Sequence, residues 1–150
     1  MPKSGQLHIS DQGISLLIAR EALRVVAYQD TRGVWTIGIG HTGPEVFGGV
    51  IWSEDRCREI FAHDLATFES AVNAVSTDLR QCEFDALVSF SFNVGVGAFI
   101  GSTMHRLLDV GDKLGAAAQF DRWHIPPEII PRRNGEKAQF QGIAFEPRIL

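Results

Sequence analysis

A helical pattern is followed directly by a β-hairpin pattern within the first 40 residues, and this succession restricts the fold most. Ser10 can cap a helix over residues 11–25, because apolar side chains recur there at three- and four-residue spacing. Residues 28–40 then read as two strands on either side of a turn that contains Gly33. The start of the chain therefore predicts one helix and one β-hairpin.

The rest of the chain predicts short helices joined by loops. The glycine-rich residues 41–52 lack a helical period and indicate a loop with one further short strand. Residues 84–92 form the most strongly apolar helical stretch, which predicts the central helix of the core. The whole pattern indicates one mainly helical α+β domain over residues 1–150. Further helices are predicted over residues 53–75, 103–111, 113–123 and 132–141, with a rigid connection over residues 125–131.

Composition excludes several functional classes. The net charge is −4 and no run of lysine or arginine marks a nucleic-acid interface. No stretch approaches the roughly 20 apolar residues that span a bilayer, and residues 1–10 contain no apolar leader, so we expect cytoplasmic synthesis without a signal peptide. The two cysteines and five histidines lack metal-ligand spacing. We therefore predict no metal, no cofactor and no membrane insertion, and we expect a monomer.

Two carboxyl groups near the predicted hairpin could carry out acid–base chemistry. Glu21 lies on the apolar stripe of the first helix, where burial would raise its pKa toward that of a general acid. Asp30 follows in a more exposed setting in which it would stay ionised, and the Thr36 hydroxyl could orient a water molecule. A glutamate on an apolar face is often a paired core residue, so the spacing alone leaves catalysis and a structural role open.

Three sequence words resemble those of the phage-type lysozymes of glycoside hydrolase family 24. Glu21, Asp30 and Thr36 stand in that family's catalytic spacing, with eight residues between the first two and five between the last two. The resemblance covers roughly residues 14–140. Its other matching words are residues 27–30, 35–42, 84–90 and 92–95 and the pair Arg132 and Arg133 followed by Glu136.

The resemblance implies a muramidase that hydrolyses the β-1,4 bond between N-acetylmuramic acid and N-acetylglucosamine in peptidoglycan and so lyses the host cell. The fold would be lysozyme-like, with a small N-terminal lobe that carries the hairpin, a larger helical lobe and the active-site cleft between them. Glu21 would be the general acid, while Asp30 and Thr36 would position the attacking water. Such an attack inverts the anomeric centre and requires carboxyl groups about 6.5–9.5 Å apart.

The same resemblance places further residues at the substrate. Tyr28 and Trp35 adjoin the catalytic word closely enough to stack on sugar rings. Asn93 would face the cleft, with a helix C-cap as the alternative role. Arg133 is assigned to substrate binding, and an arginine of this pair could also contact the catalytic glutamate. At least one of Arg132 and Arg133 is expected to be exposed with a structural role.

The chain departs from the family's pattern at two places. Ala22 stands where members often have glycine, and residues 125–131 replace a glycine-rich approach to the arginine pair. The second departure makes the alignment of the two arginines less secure than that of the catalytic word. Outside these words, His41 is predicted to be a structural hydrogen-bonding residue with Asp64 as its partner.

Two other functions stay open from the sequence. One is a non-catalytic peptidoglycan-binding or phage structural module, and the other is a lytic transglycosylase, which needs no carboxylate to activate water. The presence of Glu21, Asp30 and Thr36 together favours hydrolysis. The expected partner is the glycan strand of peptidoglycan, which the enzyme would reach in the periplasm through a holin pore or a secretion device.

Overall fold

The computed structural model describes residues 5–143 and shows short helices around a two-stranded hairpin. Single turns of 3-10 helix lie at Phe120–Arg122 and Pro127–Ile129. The hairpin consists of β1 (Arg24–Gln29) and β2 (Trp35–Gly38). The α-helices are α1 (Asp11–Glu21), α2 (Glu54–Asp64), α3 (Ala66–Asn73), α4 (Gln81–Val94), α5 (Val96–Ile100), α6 (Thr103–Asp109), α7 (Lys113–Gln119) and α8 (Ile130–Phe140).

Helix α1 begins as predicted but ends four residues early. The Ser10 hydroxyl accepts a hydrogen bond from the Gly13 N–H at 3.0 Å, which confirms the cap. The expected continuation to residue 25 is wrong, because the chain turns at Ala22, which has φ 66° and ψ 148°. This backbone conformation, with a positive φ and an extended ψ, ends the helix at Glu21 and directs the chain into β1.

We expect Ala22→Gly to stabilise the protein by about 1 kcal/mol, because glycine adopts a positive φ without the strain that a Cβ causes. Urea denaturation measures the effect. Ala19→Gly is the matched control, since Ala19 is exposed within α1 and glycine there is expected to cost about 0.5–1 kcal/mol. Destabilisation of both variants to the same extent would contradict the prediction.

The hairpin is irregular and draws on the loop that follows it. Tyr28 lies opposite Thr36 in the antiparallel pair, but the register of the pairing shifts between Arg24 and Tyr28. There, Val26 pairs with Ile51 instead of with β2. The further strand expected in residues 41–52 is thus reduced to two isolated bridging residues, His41, which pairs with Ile37, and Ile51.

The helix predicted over residues 53–75 is two helices. The break lies at Leu65, whose side chain is fully buried. Helix α2 packs against the hairpin, whereas α3 packs against α4. A break allows each half to bury its apolar face against a different neighbour.

Helix α4 is the centre of the core, as predicted. Every side chain from residue 83 to residue 91 is buried, and the helix contacts α1, α3, α5 and α8. Because α1 and α8 both pack on α4, residues at the end of α1 and the start of α8 are brought together. Within residues 5–143, no helix is both long and apolar enough to cross a membrane. The largest fully buried rings are Phe61, Phe84, Phe90, Phe99, Phe120 and Phe140.

Candidate active site

Glu21 is the last residue of α1, and its carboxylate meets an arginine from α8. The Arg132 Nη1 donates a hydrogen bond to Glu21 Oε2. The Glu21 side chain is 24% exposed, so the expected burial within the apolar stripe is corrected: the side chain lies at the helix end, whereas Leu17, one turn earlier, is fully buried. Among the described residues, Oε1 of Glu21 accepts no hydrogen bond.

Arg133, which the sequence assigns to substrate, is internal. Its side chain is 2% exposed and its guanidinium carbon lies 5.0 Å from the centre of the Phe90 ring. Its guanidinium donates hydrogen bonds to Glu136, to the Trp123 carbonyl and to the Asn93 side-chain oxygen. A side chain in this position has no surface to offer a polysaccharide, so the expected direct contact is revised. Arg133 instead fixes the orientation of Asn93, which is exposed near the end of α4.

Glu136 joins the two arginines beneath Glu21. It is fully buried, and its two oxygens accept from the guanidinium groups of Arg132 and Arg133. The Ser89 hydroxyl also donates to Glu136 Oε2, at 2.6 Å. Because Arg132 is 9% exposed and Arg133 is buried, the expectation that one of the pair is exposed is wrong. The i, i+3 and i, i+4 spacing of these residues on a helix is the signal that could have found this cluster.

Arg20 extends the cluster into α1 and was not anticipated from the sequence. Its Nη1 donates to the Ser89 hydroxyl at 3.0 Å and to Gln139 Oε1 at 2.9 Å. Burial lowers the pKa of the Arg20 guanidinium, an effect that the negative charge of Glu136 opposes. No pattern in the sequence distinguishes Arg20 or Ser89 from ordinary polar residues.

Asp30 lies at the turn of the hairpin, where the backbone holds its carboxylate. Its Oδ1 accepts from the backbone N–H groups of Arg32 at 2.8 Å and Val34 at 2.9 Å. These two hydrogen bonds, that from Val34 first, lower the pKa of Asp30. Within residues 5–143, Oδ2 accepts no hydrogen bond, so one oxygen of an ionised carboxylate is available.

Thr36 is tied to the same turn from β2. Its side chain is 4% exposed, and its hydroxyl donates to the Val34 carbonyl at 2.9 Å. Val34 therefore contacts both groups, since its N–H binds Asp30 and its C=O binds Thr36. One residue of the turn fixes the position of the carboxylate relative to the hydroxyl.

The two aromatic side chains assigned to sugar stacking are both partly buried. The Arg24 guanidinium carbon lies 4.9 Å from the centre of the Tyr28 ring. Trp35 lies against Gly48, where an added Cβ would come within 3.1 Å of the indole. Both rings are thus held in place by their neighbours.

His41 behaves as predicted and forms a structural bridge. Its Nδ1 lies 2.6 Å from Asp64 Oδ2, and its Nε2 lies 2.7 Å from Glu45 Oε1. Burial lowers the pKa of the imidazole, but the hydrogen bonds to these two carboxylates outweigh it and raise that pKa above its usual value. The bridge ties the loop after β2 to α2. Among residues 5–143, no group of three or more histidine, cysteine, aspartate or glutamate side chains is arranged to hold a metal ion.

The arrangement of helices around this hairpin is that of a solved lysozyme. A point mutant of P22 lysozyme is similar over 91% of this chain and 99% of its own, with a TM-score of 0.85 and 36% identity. The phage lysozyme family model matches residues 19–139, and the chain belongs to that family.

Two endolysins are similar over nearly the whole chain. That of Salmonella phage P22 is 38% identical over 143 residues, which cover 89% of this chain and 98% of the relative. That of Acyrthosiphon pisum secondary endosymbiont phage 1 is 37% identical over 145 residues, covering 90% and 99%. Membership of this family makes the protein a lysozyme, that is, a glycoside hydrolase, with the lysozyme-like, mainly helical α+β fold expected from the sequence.

Proposed function

We propose that this lysozyme is an inverting muramidase that cleaves the β-1,4 bond between N-acetylmuramic acid and N-acetylglucosamine. The observation that carries the proposal is the contrast between its two carboxyl groups. Asp30 is an ionised carboxylate held by backbone N–H groups, whereas Glu21 is a partly exposed carboxyl at a helix end that an arginine orients. Two carboxyl groups in unlike settings suit one acid and one base.

Glu21 acts as the general acid. Arg132 occupies its Oε2, which leaves Oε1 to meet the oxygen of the leaving sugar. The proton passes from the carboxyl to that oxygen as the glycosidic bond breaks. Arg132 therefore sets which carboxyl oxygen faces the substrate.

Asp30 and Thr36 act on the attacking water. Asp30 Oδ1 is committed to the backbone, so Oδ2 accepts a proton from the water. The Thr36 hydroxyl donates to Val34, so its lone pairs accept the water's other hydrogen. Because the water attacks from the face opposite the leaving group, the carboxyl groups of Glu21 and Asp30 are expected to lie roughly 6.5–9.5 Å apart.

Substrate contacts follow from the side chains that surround these groups. Arg133 holds the Asn93 oxygen, so the amide N–H groups of Asn93 are directed to the substrate. Tyr28 and Trp35 offer partly exposed ring surface for sugars.

We expect the first products to carry the inverted, α-configured anomeric hydroxyl. Proton NMR of a short peptidoglycan fragment during the first minutes of digestion measures this, before mutarotation mixes the anomers. A retained β anomer would contradict the single displacement by water. A 1,6-anhydro end would assign the reaction to the transglycosylases.

The site of action is the peptidoglycan of the host. We propose that the enzyme reaches the periplasm through a holin pore or a secretion device. Once there, it cuts the glycan strands as a monomer.

A further inference from the structure

Arg132 is held by three acceptors that lie on three different helices. Its Nη1 donates to Glu21 at the end of α1, and its Nε donates to Glu136 on α8 at 3.0 Å. Its Nη2 donates to the main-chain carbonyl of Ser89 on α4, at 3.0 Å. A planar guanidinium bound through all three nitrogens is fixed in position and in plane. The contact with Glu21 thus depends on the other two.

Ser89 takes part in both of those other contacts. Its carbonyl receives Arg132 directly, and its hydroxyl donates at 2.6 Å to the same Glu136 oxygen that Arg132 uses. The direction of this hydrogen bond is fixed, because the hydroxyl also accepts from Arg20, and a guanidinium can only donate. The Arg20 guanidinium therefore donates to the Ser89 hydroxyl, which in turn donates to the Glu136 carboxylate.

Arg20 connects the same serine to the other side of the catalytic contact. It directly precedes Glu21 in α1, and its Nη1 lies 3.0 Å from the Ser89 hydroxyl. Ser89 therefore constrains both members of the Arg132–Glu21 pair. It holds Arg132 through Glu136 on α8, and it holds the backbone of Glu21 through the neighbouring Arg20. Ser89 is 1% exposed, so its hydroxyl has no access to substrate.

We propose that Ser89 is a positioning residue for the hydrolysis, which it serves by aligning Arg132 with Glu21. The inference rests on the proposed role of Glu21 as general acid. A shift of about 1 Å in a catalytic group can cost up to about 100-fold in rate. Loss of the Ser89 hydroxyl removes one donor from Glu136 and one acceptor from Arg20, so both sides of the contact loosen together.

The test compares Ser89→Ala with Ser91→Ala. Ser91 lies on the same helix and is fully buried, but its hydroxyl bonds only the Val88 carbonyl of its own helix, at 3.1 Å. Initial rates on purified peptidoglycan should show kcat lowered about 10-fold or more in Ser89→Ala, with KM changed less than twofold. Ser91→Ala should keep the wild-type kcat. Thermal melts correct each rate for the folded fraction.

An isosteric pair covers the case in which Ser89→Ala does not fold. Ser89→Thr keeps the hydroxyl and Ser89→Val lacks it, so Thr should retain a kcat at least several-fold above that of Val. Equal kcat values in either comparison would overturn the proposal. Glu21→Gln in the same assay separates the positioning role of Ser89 from the general-acid role of Glu21. An inactive Glu21→Gln beside a fully active Ser89→Ala refutes only the positioning role. An active Glu21→Gln refutes the general-acid role itself.

Discussion

Glu21→Gln is expected to abolish bacteriolytic activity while the protein stays folded. Glutamine has the same size and can still accept a hydrogen bond from Arg132, but it has no proton to give to the leaving oxygen. Loss of a general acid lowers the rate by roughly 10²–10⁴-fold. Clearing of a cell-wall suspension measures the rate, and thermal melting monitored by circular dichroism measures the fold.

The matched control for this variant is Glu59→Gln. Glu59 is an exposed glutamate of α2, so the same chemical change is made away from the proposed site. It should keep wild-type activity and thermal stability. Full turnover by Glu21→Gln would refute the assignment of Glu21 as the acid, and loss of the folded state would show that the residue is structural.

Glu136→Ala is expected to destabilise the protein by about 3–5 kcal/mol, because it leaves buried positive charge without its counterion. Glu136 is fully buried and Arg133 is 2% exposed, so water cannot replace the lost contacts. Activity should fall as well, since Arg132 loses the acceptor that holds its Nε. Urea denaturation gives the free energy of unfolding.

An exposed ion pair provides the control for Glu136→Ala. Glu54 accepts from Arg58 at 3.3 Å on the surface of α2, where the two side chains are 64% and 45% exposed. Glu54→Ala should cost less than about 1 kcal/mol, because solvent screens such a pair. A loss of the same small size in Glu136→Ala would contradict the role of Glu136 as the buried counterion.

The features that the sequence predicted correctly depend on local chemistry. The capping serines 10, 53 and 102 each accept a hydrogen bond from the first turn of the helix they precede. The apolar pattern of α4 and the glycine-containing turn of the hairpin are likewise local. Such features could be predicted because neighbouring residues alone decide them.

The features that the sequence did not predict depend on packing between distant segments. Helical propensity continues past Ala22 and through Leu65, but α1 ends where the chain turns into the hairpin, and the second predicted helix breaks where its two halves pack on different neighbours. The different environments of Arg132 and Arg133 also depend on packing between distant segments. Adjacent residues on a helix point about 100° apart, so the rotation of α8 on α4 decides that Arg132 meets Glu21 while Arg133 is buried.

The most direct test of the central claim is the chemical identity of the ends that the enzyme produces. Purified peptidoglycan is digested in parallel by the wild type and by Glu21→Gln, and the soluble fragments are analysed by mass spectrometry. Hydrolysis through Glu21 predicts reducing N-acetylmuramic acid ends from the wild type alone. Anhydro ends, or no release by the wild-type enzyme, would contradict the assignment of this protein as a hydrolysing muramidase.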